Sequence, residues 1–285
     1  MRLLTRIRNK DIPASFRGKT RQNRVFALLK QQRDLTCDKI EKLDIDSKWS
    51  PCKPQLLKES SQTCAYCESP TTIVSYGDVE HYRPKSKYWW LAYCYDNYLA
   101  SCTLCNQKYK KAKFQIEGEQ LEPPVVRCHD TDEVLKARSR DLTPDPLKNH
   151  EGQDMADFIA DHQRERPRIL NPYIDDPKDY ISWEVDHTLE TVRIVPLDAN
   201  NGFQKRMVEA CEEDYGINRK ELLSQRYDKY LTYAMVRKGM ASDDFPAPMK
   251  MIFEKKLQRL LKPEDGYHGM IQHFERMSLE DLPIP

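Results

Sequence analysis

The sequence predicts an α+β protein, mostly helical, built around a small zinc-binding unit. Three observations lead there. Cys64-x-x-Cys67 and Cys102-x-x-Cys105 form two matched pairs with 34 residues between them. From Phe203 onward, apolar residues recur at helical spacing. Ahead of that stretch, 181–185 and 191–196 have the alternation of short strands. A C-x-x-C turn sets two thiolates on one side of a tight knuckle, and two knuckles supply the four ligands of a tetrahedral Zn²⁺. The alternative is a set of incidental buried thiols or redox pairs, and the symmetry of the two knuckles argues against it.

Taken in order, residues 1–19 read as irregular, punctuated by Pro13 and Gly18. Val25, Leu28 and Leu29 mark a helix over 20–34. A second short helix is expected at 36–44, with Cys37, Ile40 and Leu43 inward, and another at 51–59 feeding the first knuckle. A hairpin around 72–82 follows, then a loop crowded with Tyr88, Trp89, Trp90, Tyr93 and Tyr95, read as packing rather than base-stacking residues. A helix starts near Asn106. Residues 118–150 hold Pro123, Pro124, Pro144 and Pro146 among polar residues and read as a linker or irregular excursion. His129 and His150 there have no partner spacing that suits a metal. A helix over 152–163 and a turn-rich joint at 168–177 precede the two strands, and Asp186-His187 falls in the turn between them. Asn201-Gly202 introduces the helical region, Asn218 to Glu221 has the form of a capping box, and further helices are expected at 247–262 and 268–277. The domain reading is a basic helical arm at 1–49, a knuckle unit at 50–118, the excursion at 119–150 and a mainly helical region at 151–285.

Between and around the knuckles lie Glu80-His81, Arg83-Pro84-Lys85-Ser86, Asp96-Asn97, and Cys105-Asn106 with Lys108. This set resembles the zinc-knuckle form of the HNH (ββα-metal) endonuclease family, with Glu80 standing where that family more often has Asp. The resemblance implies an HNH nuclease unit embedded among helices. It makes His81 the general base, Glu80 and Asn106 oxygen ligands of a catalytic Mg²⁺ or Mn²⁺, and Asn97 a brace for the loop that carries His81. The chemistry is consistent with these residue types. Phosphodiester hydrolysis needs a base for the attacking water and a cation against the developing charge, imidazole titrates near neutrality, and hard divalent ions take oxygen ligands. Taken singly, a structural His81, a solvated Glu80 and an N-capping Asn106 are the plainer readings.

A second resemblance covers most of the chain. Leu170-Asn171-Pro172 with Asp175-Asp176-Pro177, and Gly216-Ile217-Asn218-Arg219 with Leu222 and Arg226, resemble the C-terminal signature of HNH nuclease subunits of Septu-type and some retron anti-phage systems. Those subunits act with an ABC/SMC-like ATPase. The resemblance thus implies an ATPase partner and a DNA substrate, with host tRNA or other RNA as the alternative. A catalytically inactive zinc-knuckle protein that binds nucleic acid is a third reading, disfavoured by the intact His81, Glu80 and Asn106.

Composition sets the outer limits. No apolar run approaches the roughly 18 residues of a membrane span, and the basic start, MRLLTRIRNK, lacks the apolar stretch of a signal peptide. Five thiols beyond the knuckles read as scattered, which suits a reducing cytoplasm. The formal net charge is +1, yet the charges are segregated. Residues 1–30 carry nine Lys or Arg against Asp11, and 151–190 carry eleven acids against four basic residues. Arg83, Lys85, Lys108, Lys110, Lys111 and Lys113, flanking the motif, are the expected phosphate contacts.

Overall fold

The computed structural model describes residues 1–71, 76–147 and 155–284. It is α+β and mostly helical, with two separate two-stranded antiparallel sheets among the described residues.

The irregular N-terminal residues lead into α1 (Gly18–Thr36), which buries Arg21, Val25, Leu28 and Leu29. The expected helix at 36–44 does not form. Asp38 adopts a left-handed φ of 57°, which ends α1, and Cys37 is drawn aside into a disulfide with Cys128. The reading of five scattered thiols is corrected at this pair; Cys52, Cys94 and Cys211 are buried and free. Next comes α2 (Lys53–Glu59), which presents Leu56 and Leu57 to the core.

Strand β1 (Asp78–His81) pairs with β2 (Tyr98–Ser101), placing His81 opposite Tyr98 and Glu80 opposite Leu99. The hairpin expected around 72–82 falls partly on residues 72–75, which lie outside those described; its described strand, β1, pairs across the aromatic loop. The loop is core: Tyr88, Trp89, Trp90, Tyr93 and Tyr95 are all buried. A π-helical segment, Leu104–Lys110, follows the second knuckle.

The described part of the excursion includes a helix, α3 (Asp132–Arg138), which packs on α1 through Arg33–Asp132 at 2.8 Å. His150, like the start of the expected 152–163 helix, lies outside the described residues. Helix α4 (Met155–Glu165) ends on a buried carboxylate. Glu165 Oε2 accepts from Arg83 Nε at 2.6 Å and its Oε1 accepts from Tyr88 Oη at 2.6 Å. Both ionic side chains are fully shielded. Removing one partner of such a pair leaves an uncompensated buried charge, at about 3–5 kcal/mol. Glu165→Ala is accordingly expected to lower the unfolding free energy by about that amount, read from denaturant midpoints at constant m-value; a shift below about 1 kcal/mol overturns it.

The second sheet pairs β3 (Ile181–Asp186) with β4 (Thr191–Pro196). It packs on α5 (Gly202–Tyr215) and α6 (Lys220–Ala241). Asn201 caps α5 as the sequence suggests, bonding the backbone of Phe203 and Gln204. The capping box at 218–221 is not formed. Arg219 occupies the cap position, and Asn218 instead bonds both backbone groups of Ile194 on β4. Helix α7 (Ala247–Leu260) folds back on α6 and buries only Leu260, while α8 (His268–Glu275) closes the core with Met270, Ile271 and Phe274. One contiguous hydrophobic core runs from Met1 to Leu282. Among the described residues, no helix is long and apolar enough to cross a membrane.

Candidate metal centre and catalytic cleft

The two knuckles are brought together by β2. Ala65 N donates to Ala100 O at 2.8 Å, fixing the first knuckle to that strand, and the second knuckle begins directly after Ser101. The ligand atoms of Cys64, Cys67, Cys102 and Cys105 all lie within 4.8 Å of one another, and only Cys102 is partly exposed. Cys105 N points at Cys102 Sγ, 3.4 Å away, the backbone arrangement that favours a thiolate. Hydrogen bonds within the cluster pull Cys67 and Cys102 below the ordinary thiol range, while burial pushes Cys64 and the shared bonds push Cys105 above it. This four-cysteine cluster can hold a metal ion such as zinc.

A cleft of about 450 Å³ opens beside it, lined in part by Asp78, Glu80, His81, Lys85 and Asn106. His81 is largely buried. Trp49 and Tyr98 meet its ring edge-on, at 4.6 and 5.0 Å between centroids. Its Nε2 lies 3.0 Å from Ala92 O. A carbonyl can only accept, so Nε2 carries the proton and Nδ1 of the neutral ring keeps its lone pair. Burial lowers the imidazole pKa to about 4.

Asn97 grips the backbone next to His81. Its Oδ1 accepts from Arg83 N at 2.8 Å, and its Nδ2 donates to Arg83 O at 2.9 Å. Glu80 is 3 % exposed, and burial pushes its carboxyl above the usual range against the opposing pull of Lys110. Lys110 Nζ lies 2.5 Å from Glu80 Oε1 and donates to His81 O at 2.9 Å.

Asp78 is a site residue that the motif reading missed. It sits two positions before Glu80 on β1, so both side chains project from the same face. Its Oδ2 accepts from Gln107 Nε2 at 3.0 Å and from Asn106 Nδ2 at 3.4 Å. The signal was present in Asp78-Val79-Glu80-His81, where period-two spacing alone pairs the two carboxylates.

The expected phosphate contacts divide. Arg83 and Lys110 are fully buried in ion pairs, which takes both off any phosphate-facing surface. Lys113 is exposed but turned onto Glu213 O and Asp214. Lys85 and Lys111 line the cleft, joined by Lys53, which no motif singles out; Lys108 is exposed nearby.

No family model matches the chain, and no solved structure matches it. Over 124 residues it is 32% identical to the Septu protein PtuB of Bacillus mycoides (strain KBAB4), a match covering 39% of this chain and 42% of that protein. The likeness thus spans less than half of either protein.

Proposed function

We propose, from that partial likeness and from the cleft, that the chain is an HNH-type endonuclease serving as the effector of an anti-phage defence complex. The observation that carries this reading is the gathering of Asp78, Glu80, His81 and Asn106 in one cleft beside the four-cysteine cluster. In it, Cys64, Cys67, Cys102 and Cys105 hold a structural Zn²⁺. Asp78, Glu80 and Asn106 supply the oxygen atoms for Mg²⁺ or Mn²⁺, with Lys110 balancing Glu80. When bound, that ion would neutralise charge on the phosphate and the leaving oxygen.

His81 takes the proton of the attacking water at Nδ1 while the Ala92 carbonyl holds its Nε2–H and so fixes the tautomer. Asn97 keeps the following backbone in register. Phosphodiesters of DNA are the first substrate to test. The assay is supercoiled plasmid and total RNA, each with Mg²⁺ or Mn²⁺; intact substrates with both metals, with and without an ATPase partner, overturn the nuclease reading.

The cleft lysines give a separate expectation. Replacing Lys53, Lys85 and Lys111 together by Gln should flatten log K against log salt by about 0.9 for each phosphate that the variant no longer neutralises. Lys113, already satisfied by Glu213 and Asp214, should contribute less. An unchanged slope in the triple variant assigns these lysines to solubility.

Control by an ABC/SMC-like ATPase belongs to the same reading. The α6–α7 hairpin exposes Met235, Met249, Met251 and Ile252, and α7 carries Lys250, Lys255, Lys256 and Arg259 against Glu254. An apolar patch rimmed by cations suits an acidic protein surface. Met251→Asp with Ile252→Asp should abolish co-purification with the ATPase and leave the fold unchanged. Retained binding by this variant places the contact elsewhere.

A further inference from the structure

The segment Gly216-Ile217-Asn218-Arg219, between α5 and α6, is far in sequence from the knuckles but packs directly on them. Gly216 has φ +58°, and a Cβ there would fall 2.5 Å from the Tyr109 ring of the π-helical segment; the position needs glycine on both counts. Tyr215 stacks on Tyr66 of the first knuckle, with ring centroids 3.8 Å apart. Arg219 then reaches the cysteines themselves. Its Nη1 lies 3.7 Å from Cys105 Sγ and its Nη2 lies 3.8 Å from Cys67 Sγ. One guanidinium therefore spans a sulfur of each knuckle.

The electrostatics explain the need. A divalent ion with four thiolates leaves a net double negative charge, and here it would be largely buried. Such a charge demands nearby cations and N–H donors. Arg219 provides one. Two helical turns further along α6, Arg226 is fully buried, with its guanidinium 5.0 Å from the Trp183 ring centroid. Its Nη1 reaches Asn218 Oδ1 at 3.4 Å, and its Nε and Nη2 make no hydrogen bond among the described residues.

We infer that Arg219 is a positioning residue of the metal centre, a two-pronged donor to Cys67 and Cys105 that sets metal retention and thiolate reactivity from the C-terminal helical region. It rests on the reading that the cysteines hold a metal. Outer-layer donors of this kind are worth about 10–100-fold in metal affinity.

The test uses the full chain. R219Q is expected to pass its zinc to a chelating dye about ten times faster than the parent, or more. In Co²⁺-loaded protein, the sulfur-to-metal charge-transfer band should move to lower energy, because unbonded thiolates are easier to oxidise. R219K, which keeps the charge but cannot span two sulfurs, should fall between the two, and it carries the test if R219Q does not fold.

Parent protein that holds no metal overturns the underlying reading of the cysteines. A metal-loaded parent whose R219Q or R219K variants release zinc at its own rate, with an unmoved cobalt band, overturns the role of Arg219 alone. Lower thermal stability with an unmoved band is also a failure. It would reduce Arg219 to its bonds with the carbonyls of Tyr215 and Gly216.

Discussion

If the cysteine cluster holds zinc as proposed, serine at any one of Cys64, Cys67, Cys102 or Cys105 should cost the protein that metal and, with it, the native fold. The magnitude follows from where the cluster sits. The knuckles are the junction at which β2, the π-helical segment and the end of α5 meet, through the Ala65–Ala100 bond, the Cys105–Cys102 contact and the Tyr66–Tyr215 stack. Structural zinc contributes about 10–16 kcal/mol of apparent binding free energy near neutral pH. That is as large as the whole stability of an ordinary domain, at about 5–15 kcal/mol. A serine variant is therefore expected in the insoluble fraction, or with diminished near-UV circular dichroism. Elemental analysis of the parent, purified without added metal, should give one zinc per chain. A chelator-stripped parent that keeps its cooperative unfolding transition would overturn this.

His81→Ala should abolish cleavage, by about 10²–10⁴-fold in rate, the range for loss of a general base. It should leave zinc content and secondary structure intact. The packing supports that separation of effects. Ala92 O, without the imidazole beside it, still accepts from Tyr98 Oη at 2.5 Å, so no buried acceptor is orphaned. Trp49 and Tyr98 are each deprived of an edge-on neighbour, worth about 0.5–1.5 kcal/mol apiece. Asp78→Asn and Glu80→Gln are expected to act differently, through metal affinity, so raised Mn²⁺ should partly rescue them. Full activity in the His81→Ala variant would show the cleft is not where hydrolysis occurs.

The elements legible in the sequence were those whose signal is local. Val25, Leu28 and Leu29 mark α1, the alternation in 181–196 marks β3 and β4, and Asn201 marks the start of α5. The cysteine pairs announced their own cluster, since ligand spacing is a local pattern as well. What escaped depends on distant partners. Lys110 sits in a run of lysines beside the motif and reads as a phosphate contact. Only the π-helical winding of Leu104–Lys110 turns it inward, beneath Glu80. Arg83 likewise needs Glu165, 82 residues away, to be buried at all. Asn218 looked like a helix cap because Glu221 follows at the right distance, but the open backbone groups of Ile194 claim its side chain first. The partnering of β1 with β2 was hidden because strands of four residues carry too little alternation to name a mate across the aromatic loop.

Helix α6 gives the molecule a mechanical property beyond the contacts at either end. Its 22 residues form a continuous rod about 33 Å long, at 1.5 Å per residue. The cap residue at its start, Arg219, meets the sulfurs, while its last turns run out beside the exposed face of α7. Between the two there is no loop to absorb a displacement. Along its length it is braced by the β3–β4 sheet and by α8. Amide exchange at the tip should accelerate when Arg219 is replaced, tens of ångströms from the substitution.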